Sequence, residues 1–282
     1  MADESPTEAV LESTRDIDEW SSERIVSAIH GEDGRAWEAV GAVLPRIVEA
    51  AEVLIVALSG GGRWFNVGAG TSGRIGALDA AEIPPTFGLP HHRVQAVVAG
   101  GDAALVRAIE GAEDRPERAA FALSERGLRA GDAVVAISAS GCTPFTLGSL
   151  DVAHEVGART IGVTCNPGSP LAEGAEIAIV PVVGPEVIAG STRMKGGLVQ
   201  KMVLNLLSTT VMVRLGYVDG NLMTHMIPAS DKLRERGVRI VMSVGGCDRD
   251  TAAKLLADCE GNVAEATRLL HAKESRARAR RP

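Results

Sequence analysis

Two short loops hold the residues best suited to chemistry. The first, Gly68-Ala69-Gly70-Thr71-Ser72-Gly73-Arg74, satisfies G-x-G-x-x-G and follows an apolar run at 64–67. Glycines at that spacing permit a tight strand-to-helix turn whose unpaired amides attract an anion. A dinucleotide would also need an acid at the end of the next strand for its ribose. Residues 88–99 contain no Asp or Glu, and Asp102 comes only after Gly100-Gly101. Gly70, Thr71 and Ser72 therefore suit a phosphate, with two hydroxyls added to the loop amides; the plainer alternative is a turn with no ligand. The second loop, Ser138-Ala139-Ser140-Gly141-Cys142-Thr143-Pro144, follows the apolar run at 133–137. Ser138, Ser140 and Thr143 can donate to oxyanions beside the free amides at Gly141 and the helix start. Pro144 fits the first turn of that helix. Capping is the ordinary role of such hydroxyls, and a capping hydroxyl can also bind a ligand.

Two acids accompany these loops. Glu82 lies in Ala81-Glu82-Ile83-Pro84-Pro85-Thr86-Phe87, and Glu113 in Glu110-Gly111-Ala112-Glu113-Asp114. The double proline is expected to end the preceding helix and hold Glu82 on a stiff segment near the first loop. Glu113 falls in a break between two helices. A lone surface acid is commonplace, but a pair beside a phosphate-binding loop suits general acid/base catalysis. Other chemistries lack their motifs. There is no G-x-x-x-x-G-K-[ST], no H-E-x-x-H and no G-x-S-x-G, and His91-His92 are adjacent rather than at a ligand spacing.

The elements that must position these residues alternate. Apolar runs at 64–67, 94–98, 133–137, 160–163 and 177–182 read as strands, with helical stretches at 73–81, 103–110, 116–126 and 145–156 between them. Such alternation implies a parallel sheet covered on both faces, and continuously apolar strands agree with that. Two hydroxyl-rich loops after two parallel strands then share the carboxyl edge, where open α/β sheets bind ligands. Residues 1–45 read as a helical segment, with Ile25, Ile29, Trp37, Val40, Val43 and Leu44 at helical spacing; Pro45 opens a second helix that stops at Gly60-Gly61-Gly62. Residues 192–216 form one long helix. Its two apolar lines, Met194, Leu198, Met202, Leu206 and Val199, Val203, Leu207, Val211, suit a buried central helix or an oligomer interface. Residues 46–220 thus make the α/β domain and 221–275 a small C-terminal domain of three helices. Asp248 caps its second helix and Asn262 its third, with Glu265 placed for a capping box. Residues 276–282 are a basic tail, expected to be disordered.

Composition sets bounds. Lys plus Arg is 29 and Asp plus Glu is 36, a net −7 over 282 residues, which argues against a nucleic-acid partner despite the arginine tail. Aromatics are 3%, so Ala, Val, Leu and Ile must build the core, and stacking platforms are not expected. Cys142, Cys165, Cys247 and Cys259 form no C-x-x-C, fit no disulfide framework, and are expected as small buried side chains. The acidic start lacks a leader's apolar segment, and no run approaches the length of a membrane span. A cytoplasmic protein without a membrane partner is expected.

These motifs together resemble the N-acetylmuramic acid 6-phosphate etherases. The match joins residues 68–74, Asp79-Ala80-Ala81-Glu82-Ile83-Pro84-Pro85-Thr86-Phe87, the Glu113 segment and Ser140-Gly141-Cys142-Thr143-Pro144. It includes Gly184-Pro185-Glu186-Val187-Ile188-Ala189-Gly190-Ser191-Thr192-Arg193-Met194-Lys195, a signature shared with glucokinase regulatory proteins, and runs in order from about residue 7 to 271. The resemblance implies a sugar isomerase (SIS) fold: a flavodoxin-like three-layer α/β sandwich with a UBA-like C-terminal three-helix domain. It implies a homodimer, no metal or organic cofactor, and removal of D-lactate from carbon 3 of the sugar. By the motif match, Glu82 assists lactate departure and activates water, while Glu113 takes the carbon 2 proton. An acid donating near neutral pH needs a raised pKa, which burial beside Ile83-Pro84-Pro85 would supply. Lys232 is expected to reach the phosphate bound by the partner subunit. Leu11, Leu198 and Ala229-Ser230 stand where the family has Asn, Thr and Thr-Asn. The competing readings are a phosphosugar-binding regulator and a phosphosugar isomerase, and lactate release separates them.

Overall fold

Five short, largely apolar runs pair side by side, and the central two cannot leave either face in water. In the computed structural model, which describes residues 5–279 except 227 and 229 and side chains to residue 272, the chain forms two compact units. One comprises the residues up to Ala80 with His92–Val211. The other comprises Ala81–His91 with the residues from Met212 onward.

The first unit opens with two 3-10 turns and the helices α1 (Ser22–Ala42) and α2 (Leu44–Ser59). Its sheet contains β1 (Trp64–Gly68), β2 (Val94–Val98), β3 (Ala133–Ile137), β4 (Arg159–Val163) and β5 (Ile177–Ile179). The helices that follow in chain order are α3 (Gly70–Phe87) after β1, α4 (Ala103–Val106) and α5 (Pro116–Glu125) after β2, α6 (Pro144–Val156) after β3, α7 (Pro170–Gly174) after β4, and α8 (Lys195–Arg214) after β5. All four strand pairings are parallel, in the order β2-β1-β3-β4-β5. The order reverses between β1 and β3, and that switch point opens a crevice at the carboxyl edge.

Every residue of β1 and β3 is buried. Phe65 and Val67 face one way with Val134 and Ala136, against Leu123 of α5, Phe145 and Leu150 of α6 and Leu171 of α7. On the other face α2 packs on β1, β3 and β5. There Asn66 is a satisfied polar group: its Oδ1 accepts from Trp64 Nε1 at 2.7 Å and its Nδ2 donates to the Gly76 carbonyl at 3.1 Å. At the opposite end of the sheet, Asp132 is fully buried and takes the Arg63 backbone N–H at 2.8 Å and Nη2 at 2.6 Å. α8 is long and apolar enough to cross a membrane by length and composition, but 56% of its apolar stretch is buried in the protein, as in a core helix.

The second unit contains α9 (Asp231–Gly245), α10 (Arg249–Asp258) and α11 (Val263–Ala279), packed around Met226, Ile240, Val241, Ala252, Leu256 and Val263. Ser230, Asp248 and Asn262 accept from the N–H groups of Leu233, Thr251 and Glu265 at 3.3, 2.8 and 3.0 Å. Glu265 does not complete a capping box; its carboxylate is drawn instead to Arg268 one turn on, at 2.6 Å. The expected disordered tail is helical as far as Ala279, in keeping with the helix propensity of its Ala and Arg residues, and residues 280–282 lie outside the described residues.

Other elements also differ from expectation. α3 does not stop before the double proline: Pro84 and Pro85 lie inside it. Each lacks an N–H, so the carbonyls of Ala80 and Ala81 lose their usual donors. The cost falls on the last turn only. There Ile83 is 2% exposed, and Gly88, at φ +69°, donates to the Pro84 carbonyl at 2.8 Å and ends the helix. The helix expected at 103–110 is the single turn α4, broken before Gly111 at φ +69°. Cys142 is exposed rather than buried, because it sits at the rim of the second loop.

Candidate active site

The first turn of α3 begins directly after β1. Gly70 takes φ +52°, the left-handed region that favours glycine, and turns the chain into the helix. A Cβ on Gly73 would lie 2.6 Å from the Gly68 carbonyl oxygen, so only glycine lets α3 start this close to its strand. The N–H groups of Gly70, Thr71 and Ser72 precede any intrahelical acceptor. Thr71 is half-buried and Ser72 is 9% exposed. Arg74, one turn into α3, donates from Nε to the Ala104 carbonyl at 2.9 Å and from Nη2 to the Arg107 carbonyl at 3.2 Å. It holds the segment that leads to Glu113.

The second loop leaves β3 beside the first, since Gly68 and Ile137 are paired in register. Ser138, 3% exposed, is its hub. Its Oγ lies 2.9 Å from Thr143 Oγ1 and 3.2 Å from Ser140 Oγ, and accepts from the Gly141 N–H at 3.1 Å. Gly141 takes φ +70° and presses against Thr164 and Ser169 with no room for a Cβ. Ser140 Oγ also accepts from the Cys142 N–H at 3.2 Å. Thr143 precedes α6 without capping it through its side chain. The half-buried Ser140 and Thr143 hydroxyls are thus presented at the rim by a buried one.

Glu113 is fixed by its main chain: its carbonyl accepts from the Phe145 N–H, in the first turn of α6, at 2.9 Å. Its exposed side chain lines a cleft of about 180 Å³ together with Ala69, Gly70, Arg74 and Gly111. The first unit therefore brings both loops and Glu113 to one rim. Glu82 and Lys232 are carried by the second unit, the former on α3 and the latter at the second position of α9. Both are exposed, so the burial expected around Glu82 is absent: Ile83 and Pro84 turn inward while Glu82 turns to solvent. Of the family departures, Leu11 precedes the first 3-10 turn, Leu198 is half-buried on α8, Ser230 caps α9, and Ala229 lies outside the described residues.

Asn166 is a contributor that motif reading passes over. It is 4% exposed, and its Nδ2 donates to the Ser140 carbonyl at 3.1 Å, to Thr7 Oγ1 at 2.9 Å and to Ser5 Oγ. It ties the start of the chain to the second loop. The nearby Cys165 is no nucleophile: burial, helped by the charge of Glu186, pushes its thiol up to about 12. Among the described residues no group of three or more His, Cys, Asp and Glu is placed to hold a metal.

Two family models match the chain: the glucokinase regulatory protein N-terminal SIS domain over residues 46–154, and the SIS domain over residues 124–211. The N-acetylmuramic acid 6-phosphate etherase of Symbiobacterium thermophilum is 50% identical over 260 residues, covering 92% of this chain and 86% of that protein. The Escherichia coli enzyme of that name is 46% identical over 256 residues, covering 91% and 86%. Among solved structures, a phosphoheptose isomerase from Neisseria gonorrhoeae aligns with a TM-score of 0.53 at 22% identity, covering 68% of this chain and 98% of that one. That likeness speaks for the fold alone. The similarity extends along nine-tenths of the chain at 46–50% identity, and the chain belongs to the N-acetylmuramic acid 6-phosphate etherases.

Proposed function

We propose that this chain cleaves the D-lactyl ether of N-acetylmuramic acid 6-phosphate, giving N-acetylglucosamine 6-phosphate and D-lactate. The observation that carries the reading is the convergence of two hydroxyl-rich loops and Glu113 on one rim at the switch point, in a chain of this family. Gly70, Thr71 and Ser72 offer amides and hydroxyls to the phosphate. Ser140 and Thr143 add hydroxyls, and Ser138 and Gly141 hold them in place. In the open-chain sugar, carbon 2 lies next to the aldehyde, so a carboxylate can remove its proton. Glu113 takes that proton. The carbon 3–oxygen bond breaks, the departing oxygen receives a proton from Glu82, and an unsaturated aldehyde remains. Water, activated by Glu82, adds at carbon 3 and carbon 2 regains a proton. The sum is ether hydrolysis, and no electrons leave the system.

The reading includes a cytoplasmic homodimer in which Lys232 reaches the phosphate bound by the partner subunit. Its support is an exposed apolar face on the first unit. Trp37 is 70% exposed and Leu44 46%, and with Met202 and Leu206 they line a groove of about 340 Å³. The test is D-lactate release from N-acetylmuramic acid 6-phosphate by the purified chain. Stoichiometric lactate and N-acetylglucosamine 6-phosphate are expected. Binding of the sugar with no lactate would favour a regulator, and a ketose product an isomerase.

A further inference from the structure

Two charged side chains of the segment 184–195 are completely buried and have no part in the chemistry above. Glu186 and Lys195 are each 0% exposed. Charges are rarely buried unless paired and hydrogen-bonded. Glu186 meets that condition through the start of α8. One carboxylate oxygen accepts from the Lys195 N–H at 3.0 Å and the other from the Gly196 N–H at 2.8 Å. The next two N–H groups, of Gly197 and Leu198, donate to the Thr192 and Met194 carbonyls, both at 2.8 Å. All four donors that a helix start leaves open are therefore satisfied, and the positive end of the helix dipole faces a carboxylate from the same chain. The Lys195 side chain is ion-paired with Glu32 of α1, whose other oxygen lies 3.3 Å from Arg35 Nε.

This helix start lies close to both candidate loops, with room for no more than a glycine at Gly196 and Gly197. A Cβ on Gly196 would lie 3.2 Å from the Ala139 Cβ in the second loop. A Cβ on Gly197 would lie 3.3 Å from Thr71 Cγ2 in the first. A shift of the start of α8 toward the loops would press on Thr71 and Ala139.

We propose that Glu186 is a positioning residue of the phosphosugar site, the buried anion that fixes the start of α8 against both loops, with Lys195 and Glu32 anchoring it to α1. Both of its oxygens are committed to backbone donors, so it acts through the loops and does not touch substrate. A carboxylate is required because two N–H groups need two acceptors. Glutamine offers one and turns an NH₂ against the other N–H.

The activity arm of the test rests on the etherase reading; the binding arm does not. The full chain is compared as wild type, Glu186→Gln, Glu186→Asp and Gly197→Ala. The readouts are melting temperature, Kd for N-acetylglucosamine 6-phosphate, and KM and kcat for lactate release. In Glu186→Gln, Kd and KM should rise about ten- to a hundredfold, the range for a displaced loop donor losing its hydrogen bond to the charged phosphate, while kcat falls by less than about threefold. Glu186→Asp, which keeps the charge, should recover part of the affinity. Gly197→Ala raises helix propensity, so its melting temperature should hold while Kd rises because Thr71 is pushed. Unchanged Kd in a folded Glu186→Gln overturns the proposal, as does a collapse of kcat at unchanged Kd. If Glu186→Gln fails to fold, Gly197→Ala decides, and an unchanged Kd there overturns it too. A wild-type chain that binds the sugar phosphate yet releases no lactate would instead sink the etherase reading and leave the binding arm to judge Glu186.

Discussion

Ser138 and Ser140 are two residues apart and chemically identical, yet their removal should have opposite signatures. Ser138 is 3% exposed and its hydroxyl bridges Thr143 at 2.9 Å and Ser140 at 3.2 Å. It also shares the Gly141 N–H, which keeps the Ser138 carbonyl at 3.2 Å as a second acceptor. Ser138→Ala therefore removes about two net hydrogen bonds in a buried place, at ~0.5–1.5 kcal/mol each, or roughly 1–3 kcal/mol in all. For a protein of this size that lowers the melting temperature by roughly 2–12 °C. Ser140 is half-buried, and the Cys142 N–H that it accepts from is exposed and can turn to water. Ser140→Ala should leave the melting temperature within about 2 °C, since solvent-reachable changes seldom exceed ~0.5 kcal/mol. Its cost falls on binding: a lost donor to a phosphosugar anion weakens Kd about ten- to a hundredfold. Differential scanning fluorimetry and calorimetric titration with N-acetylglucosamine 6-phosphate read the two arms. A stable Ser138→Ala together with a Ser140→Ala of wild-type affinity would refute the division of the loop into a hub and a rim.

Three further outcomes are expected. Glu113→Gln should lose both solvent-deuterium exchange at carbon 2 and lactate release, by about 10²–10⁴-fold, whereas Glu82→Gln should still exchange while releasing lactate slowly; NMR in D₂O checks this, and oxygen from labelled water should enter the sugar rather than the lactate. Asp132→Ala should destabilise the fold by ~1–3 kcal/mol in urea titrations, because it takes the carboxylate acceptor from the Arg63 and Arg129 backbone N–H groups, while the Arg63 side chain keeps the Arg126 and Gly127 carbonyls. Trp37→Glu should convert the proposed homodimer into a monomer in light scattering; a dimer of unchanged stability would place the interface elsewhere, and a monomeric wild type would refute the homodimer.

Much of the sheet is legible in the residues because strands buried on both faces must be largely apolar, as 64–67 and 133–137 are. The two loops show themselves for a related reason: glycines and hydroxyls crowd the ends of those runs. What stays hidden depends on tertiary context. Glu186 reads as one more acid in a loop, since no local pattern announces that a distant helix start will use it as a cap. Pro84 and Pro85 read as a helix stop, and burial of Ile83 outweighs that local preference. Residues 81–91 group with 212–282, and nothing in a pass along the chain signals such a discontinuous pairing. For the same reason the exposure of Glu82 is not legible: apolar neighbours in sequence need not be neighbours in space.

Three helices start near the switch point, and the bonds of their first turns distinguish them. All of the open donors of α8 are taken, two by the Glu186 carboxylate. At α6, the Phe145 N–H goes to the Glu113 carbonyl and the preceding Cys142 N–H to Ser140. At α3 no described residue accepts from Gly70, Thr71 or Ser72, and Gly70 opens the turn toward the cleft that Glu113 lines. A phosphate dianion would thus meet unspent amides, a helix dipole and two hydroxyls at α3, with Ser140 and Thr143 supplying donors from one side. The same bond that spends the Phe145 N–H sets Glu113 beside that turn. In this arrangement the contacts made at the starts of α6 and α8 shape the site as much as the groups left free at α3, because each of them fixes a loop that the open helix start needs.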